Sequence, residues 1–446
     1  MKTLLFMLSR LILIIFFVFS NITFSQVDST WFSKRNKIII PFEFSNNLII
    51  LKVKINGTEL KLLLDTGAEK NVLFSFEEEE KIVINNAKKI KITGVGNGEP
   101  MEATVSSKNQ LKIKKYIDNN FSVYILNEEI VDVINKLGIE INGILGYSFF
   151  KERLIEINYE KKKIIIHKDR TILNSNKIKK FTTESIEVKD DKPYIKINSA
   201  SRHNKRELKL LLDTGLSDGL WLFNKNDIFD KNQKFISDVL GVGLSGEIYG
   251  KRSRIDKLNL SKFDFNDVLV AYPDSLSFKN IKILEDRDGS LGGEIIKRFN
   301  LFLDYKNHNI YIKPNKNIND PFNYNMSGID VQHDGIEVIK EKITLYNGIY
   351  RDDTDFLGEN EKLKYNYRFV FQPTYKITHI RENSPAAFVN LKEGDKILSI
   401  NKKSAYNYTI QKINDLFQSE DGKKIKMEVE REGKIIEVIF YLKKII

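Results

Sequence analysis

The chain has 446 residues, of which 41% are hydrophobic, including 29 Phe and 18 Tyr. This length and composition suffice for two or three domains with apolar cores and exclude bulk disorder. The formal net charge is +11, but acidic residues are interleaved with the lysines, and no basic run contains aromatic residues. The charge therefore indicates solvated faces and no nucleic-acid partner. The sequence contains no Cys, which excludes disulfides.

The N-terminus has the order of a secretory signal peptide. Lys2 and Arg10 accompany an apolar run at 11–19, and the small residue Ser25 follows a polar break. We predict a signal peptide over residues 1–25, with cleavage near Ser25 and a periplasmic or extracellular destination. Nine apolar residues are too few to span a bilayer. An uncleaved leader remains the alternative, and it would be the only membrane attachment.

Nine residues occur twice in the chain without change, at 59–67 and again 148 residues later at 207–215. Each copy consists of an apolar strand with three leucines that leads into Asp-Thr-Gly. Three further features recur in the same order, with spacings that drift by one or two residues. They are Gly-Val-Gly at 94–96 and 241–243, Leu-Gly at 145–146 and 291–292, and an apolar stretch ending in Tyr at 155–159 and 301–305. We therefore predict two copies of one fold, at 34–167 and 181–318.

Each copy is predicted to be mostly β. Residues 51–55 alternate between apolar and polar, and Asn56-Gly57 then predicts a two-residue hairpin turn with positive φ. In the second copy we expect a longer polar loop through His203 and Asn204. The remaining expected elements are brief helices near 128–136 and 292–299, and a polar connection at 168–180.

A third unit begins near Met326. Pro385, within Asn-Ser-Pro-Ala-Ala at 383–387, is predicted to start a short helix, and Gly394-Asp395 forms a turn into a strand. An amphipathic helix at about 409–418 and two further strands complete the pattern.

This tail resembles a PDZ domain over residues 378–441. The family often has Gly where this chain has Asn390, and Asn is the next-best residue for a left-handed backbone. The resemblance implies that the tail, at 326–446, binds a protein C-terminus or an extended strand by strand addition. A packed domain without a ligand remains open.

The repeated aspartates have a chemical consequence if a twofold rotation brings the two turns together. At about 3 Å, two carboxylates repel by roughly 5 kcal/mol at an effective dielectric near 20. That energy corresponds to about four pKa units. The pair would therefore share one proton and supply a general acid and a general base together. This chemistry needs no metal or other cofactor, and the five His residues include no pair at ligand spacing.

The two copies resemble the aspartyl peptidase superfamily, in particular bacterial retropepsin-like proteases fused to a PDZ domain. The resemblance implies a mainly β fold with two pseudo-twofold-related β-barrel lobes, followed by a PDZ-like α+β domain. It implies that Asp65 and Asp213 are catalytic. It also implies that the strands at 144–146 and 290–292 brace the catalytic loops. The remaining implied roles are loop support by Thr66, Gly67, Thr214 and Gly215, and a flap formed by Gly94, Val95 and Gly96.

One departure from the family concerns the residue after each Asp-Thr-Gly. Pepsin-like lobes have a Ser or Thr there, whose hydroxyl bonds the outer carboxylate oxygen; this chain has Ala68 and Leu216. Ser217, one place later, is a candidate to compensate. The first flap also lacks a pepsin-like Tyr.

The sequence therefore predicts a secreted aspartic endopeptidase that cleaves a peptide or unfolded protein, with a PDZ domain for substrate or partner selection. The alternative is an inactive peptide-binding or scaffold protein that retains the fold. A third hypothesis is self-cleavage of a leader segment near 26–37.

Overall fold

The structure is a computed structural model. It describes residues 36–74, 82–92, 101–126, 141–201, 204–223, 234–243, 246–279, 283–344 and 365–446. The predicted signal peptide, the flap residues Gly94, Val95 and Gly96, and the helix expected at 128–136 lie outside the described residues. None of the helices in these ranges combines the length and apolar character that a bilayer crossing requires.

The first half of the chain forms short strands around an apolar core. In chain order the elements are β1 (Lys37–Pro41), β2 (Glu43–Ser45), β3 (Leu48–Ile55), β4 (Thr58–Leu64), β5 (Val72–Leu73), β6 (Lys88–Ile92), β7 (Met101–Ile113), β8 (Tyr116–Leu126), β9 (Gly143–Leu145), helix α1 (Tyr147–Phe150), β10 (Leu154–Asn158) and β11 (Lys163–His167). Eight of these strands form one sheet, in the order β2-β3-β4-β9-β5-β8-β7-β6. A further pairing of β3 with β7 curls this sheet into a barrel-like form.

The second half repeats this arrangement strand for strand. Its elements are β12 (Thr182–Ser185), β13 (Glu187–Lys189), β14 (Lys192–Ser201), β15 (Asn204–Leu212), β16 (Leu220–Leu222), β17 (Ile236–Gly243), β18 (Gly246–Leu260), β19 (Phe263–Pro273), β20 (Gly289–Leu291), helix α2 (Gly293–Ile296), β21 (Phe299–Asp304) and β22 (Asn309–Pro314). The sheet order is β13-β14-β15-β20-β16-β19-β18-β17, with β14 also paired to β18. Each strand therefore has a counterpart at the same place in the first sheet.

A third sheet of six strands joins the two halves, in the order β1-β11-β10-β21-β22-β12. At its centre β10 pairs with β21, and Glu156 lies opposite Phe302. These two residues occupy the same position in the two sequence copies, because each stands three residues before the repeated Tyr. A pseudo-twofold axis therefore passes between them. The predicted fold class is confirmed, since the described chain is mainly β with barrel-like sheets.

The hairpins show why local sequence sets the turns. Asn56 and Gly57 have φ of 48° and 95°, as the two-residue turn requires. The longer loop expected in the second copy is wrong, because β14 and β15 stay paired up to Ser201 and Asn204. Residues 198–200 of β14 also pair with β18, and these backbone bonds keep the polar segment extended.

The tail forms a separate sheet with two helices. Its elements are β23 (Ile329–Thr344), β24 (Tyr365–Ile380), α3 (Pro385–Phe388), β25 (Lys396–Ile400), β26 (Lys403–Ser404), α4 (Ile410–Phe417), β27 (Lys424–Arg431) and β28 (Lys434–Tyr441). The order is β23-β24-β25-β27-β28, with β26 on β25. Pro385 begins α3 as predicted, and Asn390 has φ of 57°. Thr409 caps α4, which buries Ile410, Ile413 and Phe417 on one face.

The tail packs against both halves. Ile236 of β17 belongs to the same apolar cluster as the tail core. Between β2 and β3, the backbone N–H of Asn46 donates to Gln411 of α4 at 2.5 Å. At the contact with the second half, burial and the nearby charge of Asp238 raise the pKa of Asp330 to about 6. The tail is therefore docked through apolar packing and a hydrogen bond, and its contact with the second half also buries Asp330 near Asp238.

Candidate active site

Each Asp-Thr-Gly loop begins where a buried strand ends. β4 pairs in parallel with β9, and β15 pairs in parallel with β20. The N–H of Asp65 donates to the carbonyl of Leu145 at 3.0 Å, and the N–H of Asp213 donates to Leu291 at 2.9 Å. The bracing strands thus lie where the sequence predicted them.

The two threonines cross from one loop to the other. The Thr66 hydroxyl donates to the Leu212 carbonyl at 2.6 Å and accepts the N–H of Thr214 at 2.9 Å. Reciprocally, the Thr214 hydroxyl donates to the Leu64 carbonyl at 2.8 Å and accepts the N–H of Thr66 at 3.0 Å. Both threonines are buried. Four buried hydrogen bonds therefore lock the loops together across the pseudo-twofold axis.

The glycines allow each carboxyl group to approach the opposite loop. A Cβ added to Gly67 would lie 2.8 Å from Cγ of Asp213, and one added to Gly215 would lie 2.3 Å from Cγ of Asp65. Real Cβ atoms do not approach other carbon atoms so closely. Gly is thus required at both positions for the carboxyl groups to face each other.

The carboxyl groups of Asp65 and Asp213 therefore lie close together, each against the glycine of the opposite loop. Burial raises the pKa of Asp65 well above its usual range, and the charge of Asp213 raises it further. Burial raises the pKa of Asp213 as well, but the positive charge of Arg287 opposes this rise. The site therefore holds a proton that a solvent-exposed aspartate would lose.

Backbone N–H groups stabilise the charged forms. Oδ1 of Asp65 accepts bonds from Gly67 at 2.7 Å and Ala68 at 3.1 Å, and Oδ1 of Asp213 accepts one from Gly215 at 3.0 Å. The N–H of Leu216 also lowers the pKa of Asp213. Ala68 and Leu216 thus act through their backbones.

Several residues at the site were not identified from the sequence. Oδ1 of Asn71 accepts the N–H of Gly146 at 2.9 Å, as the carbonyl of Gly219 does for Gly292 in the second half. The only local signal was the position of Asn71, which corresponds to Gly219 in the repeat.

Tyr305 is a second residue that the sequence did not identify. It is buried and stacks on Phe150, with ring centroids 5.5 Å apart. Burial raises the pKa of its phenol well above its usual value, and the charge of Asp65 adds to the rise. The sequence shows a Tyr at the end of each repeated apolar stretch, at 159 and 305, but it does not indicate that Tyr305 lies near the carboxyl pair.

Of the two Gly-Val-Gly copies, only the one in the second half can be described. Its glycines, at 241 and 243, lie in β17, and Gly243 is the last residue to pair with β18, opposite Gly246. β17 and β18 are therefore the two arms of an antiparallel hairpin. Its counterpart at 94–96 lies outside the described residues.

Comparison with known proteins agrees with two parts of this picture. A family model described as aspartyl protease matches residues 51–149, which include the first Asp-Thr-Gly loop and its bracing strand. A model described as PDZ domain matches residues 376–431 in the tail. No curated protein shows a significant match to the chain. The first half therefore matches an aspartyl protease domain and the tail matches a PDZ domain, while the second Asp-Thr-Gly half rests on the repeat and the geometry.

Proposed function

We propose that this protein is an aspartic endopeptidase whose catalytic pair is Asp65 and Asp213. The observation that carries the proposal is the approach of the two carboxyl groups, each of which packs against the glycine of the opposite loop, while the reciprocal threonine bonds hold the loops together. The aspartyl protease match to the first half supports the same reaction class. Two buried carboxyl groups that face each other in this way share one proton over a wide pH range.

The shared proton suits peptide hydrolysis. The ionised carboxylate takes a proton from a water molecule held between the two groups, while the protonated carboxyl donates to the scissile carbonyl oxygen. Attack of the water gives a tetrahedral intermediate with no covalent bond to the protein. The backbone N–H groups on Asp65 and Asp213 keep both carboxyl groups oriented during proton transfer.

The substrate that fits is a peptide or unfolded protein in an extended conformation. The two eight-stranded sheets offer the edge strands β6 and β17 to such a chain, and the PDZ-like tail adds β23, the outermost strand of its sheet. We further propose that the leader at 1–25 directs the protein across the inner membrane to the periplasm or the exterior.

The experiment compares the parent with Asp65→Asn and Asp213→Asn on a mixture of unfolded peptides across pH. Asp274→Asn, at an exposed position in the second half, is the matched control. We expect both dyad variants to lose cleavage while the control retains it. Parent-like cleavage by either dyad variant would refute the assignment.

The second candidate is an inactive peptide-binding protein, which Leu216 favours because it lacks the hydroxyl of pepsin-like lobes. It predicts no cleavage by the parent at any pH, and peptide binding that is unaffected by Asp213→Asn. The mass of the mature N-terminus in Asp65→Asn tests the self-cleavage hypothesis.

A further inference from the structure

The two halves differ at one buried position next to the bracing strands. In the first half, Oδ1 of Asn142 accepts the N–H of the facing lysine on β4 at 2.8 Å. In the second half, Asp288 does the same for the lysine on β15 at 2.9 Å. Asn142 and Asp288 are therefore equivalent positions, and so are the residues that precede them, Ile141 and Arg287. A buried cation in the second half therefore replaces a buried aliphatic side chain in the first.

The guanidinium of Arg287 is held in a fixed place. It is 8% exposed, Nε donates to the Gly289 carbonyl at 2.9 Å, and Nη2 donates to the Ser290 hydroxyl at 2.7 Å. The group also lies over the Phe223 ring, 5.0 Å from its centroid. Among the described residues, no carboxylate forms an ion pair with it. Neutral groups thus hold the buried positive charge of Arg287 in place.

Strand geometry places this charge on the side of Asp213. Ser290 lies beside Leu211 in the parallel pair of β20 and β15. Because side chains alternate along a strand, Leu211 and Asp213 lie on the same face. Arg287, bonded to Ser290, therefore lies on the face of β15 that carries Asp213. The corresponding position in the first half holds Ile144, which has no hydroxyl to hold a cation.

We propose that Arg287 is a positioning residue that places the negative charge of the pair on Asp213 and leaves the proton on Asp65. The inference rests on the proposed function and assigns the two roles within it. Asp213 is then the base that accepts a proton from water. Asp65 is the acid that donates to the carbonyl oxygen of the substrate.

The other groups around Asp213 do not supply a competing cation, because Lys209, on the same face of β15, is paired with Glu187 at 2.6 Å and with Asp286 at 2.7 Å. Asp65 faces it from the first half, and Tyr305 approaches from the end of β21 with a phenol whose pKa is raised by burial. Tyr194 pairs with Leu211 on the same face, near Arg287, and burial raises its pKa too. Asp218, on the same loop as Asp213, is paired with Arg252 at 2.7 Å. The charge of Arg287 therefore acts on the carboxyl pair without a compensating partner among the described residues.

The role of Arg287 is tested by the pH profile of kcat/KM for Arg287→Met, Arg287→Lys and the parent. Loss of the cation makes the ionised form of Asp213 harder to reach, so the acidic limb moves to higher pH, by about one unit. One unit below the parent's acidic midpoint, kcat/KM of Arg287→Met falls about tenfold relative to the parent. Arg287→Lys keeps the charge and restores most of the parent profile.

The matched control is Arg206→Met, which removes the same charge from a 42% exposed side chain paired with Asp288. Its profile stays within about a few tenths of a pH unit of the parent's, because solvent and salt screen a surface charge. If Arg287→Met does not fold, the double variant Arg287→Ile with Ser290→Ile copies the apolar pair of the first half and takes its place.

The outcomes separate the two proposals. A parent that cleaves nothing at any pH overturns the proposed function and this inference with it. An active parent whose acidic limb does not move in Arg287→Met or the double variant overturns the inference alone. A uniform loss of kcat without a shift assigns Arg287 a purely structural role and also overturns it.

Discussion

Replacing Thr66 by Val tests how strongly the crossed hydroxyl bonds hold the two halves together. Val has nearly the same shape, so the change removes hydrogen bonds without opening a cavity. It leaves the Leu212 carbonyl and the Thr214 N–H buried without partners, where the hydroxyl now bonds them at 2.6 and 2.9 Å. Each unsatisfied buried group costs about 1–3 kcal/mol, so we expect a loss of about 3 kcal/mol in the free energy of unfolding.

The assay is urea-induced unfolding followed by tryptophan fluorescence. Thr214→Val should lose a similar amount, because its two bonds mirror those of Thr66. Thr66→Ser is the control, since it keeps the hydroxyl, and we expect it to stay within about 1 kcal/mol of the parent. The double Val variant should lose less than the sum of the two single losses, because both sites belong to one network. A Thr66→Val protein within about 0.5 kcal/mol of the parent would refute this account of the interface.

Three further predictions concern space and charge. Gly215→Ala places a Cβ 2.3 Å from Cγ of Asp65 and should lower kcat/KM by about a hundredfold or more; parent-like kinetics would contradict the close approach of the loops. Burial alone would raise the pKa of Glu156, but bonds from His167 at 3.1 Å and Lys177 at 2.6 Å lower it. The charged form of Glu156 therefore stabilises the folded state above pH 4.5, and this contribution is lost as the pH falls further. Glu156→Gln should therefore lower Tm at pH 7 and have little effect near pH 3, and an equal loss at both pH values would count against the ion pairs. The pKa of Asp330 is raised to about 6, so its charged form destabilises the folded state as the pH rises through that value. Asp330→Asn should raise Tm at pH 7.5 but not below pH 4, and an unchanged Tm at pH 7.5 would contradict the buried contact.

Local patterns predicted the features that depend on a few neighbouring residues. Asn56-Gly57 required a positive-φ turn, Asn390 a left-handed backbone, and the apolar spacing at 409–418 a helix packed on one face. The duplication also allowed one long-range feature to be predicted. Because both copies carry the same strand and turn, a twofold arrangement could bring Asp65 and Asp213 together, and the structure shows that it does.

Long-range pairing could not be predicted in the same way. The third sheet contains strands from both halves, and nothing within β10 specifies β21 as its neighbour. Arg287 also resembled an ordinary surface residue in the run Glu-Asp-Arg-Asp at 285–288. Its burial depends on Phe223 and Ser290, which only the folded chain brings to it. Aligning it with Ile141 in the repeat was the one signal that could have identified it.

The claim that the two carboxyl groups share one proton is tested most directly by NMR titration of protein labelled with ¹³C at the aspartate carboxyl carbons. The resonances are assigned with Asp65→Asn and Asp213→Asn. In the parent, we expect one of the two carboxyl groups to keep its proton well above the usual pH range of an aspartate. In Asp213→Asn, the pKa of Asp65 should fall, because the neighbouring charge that raises it is gone. If Asp65 titrates at the same pH with and without Asp213, the two groups do not share a proton and the proposed mechanism is wrong.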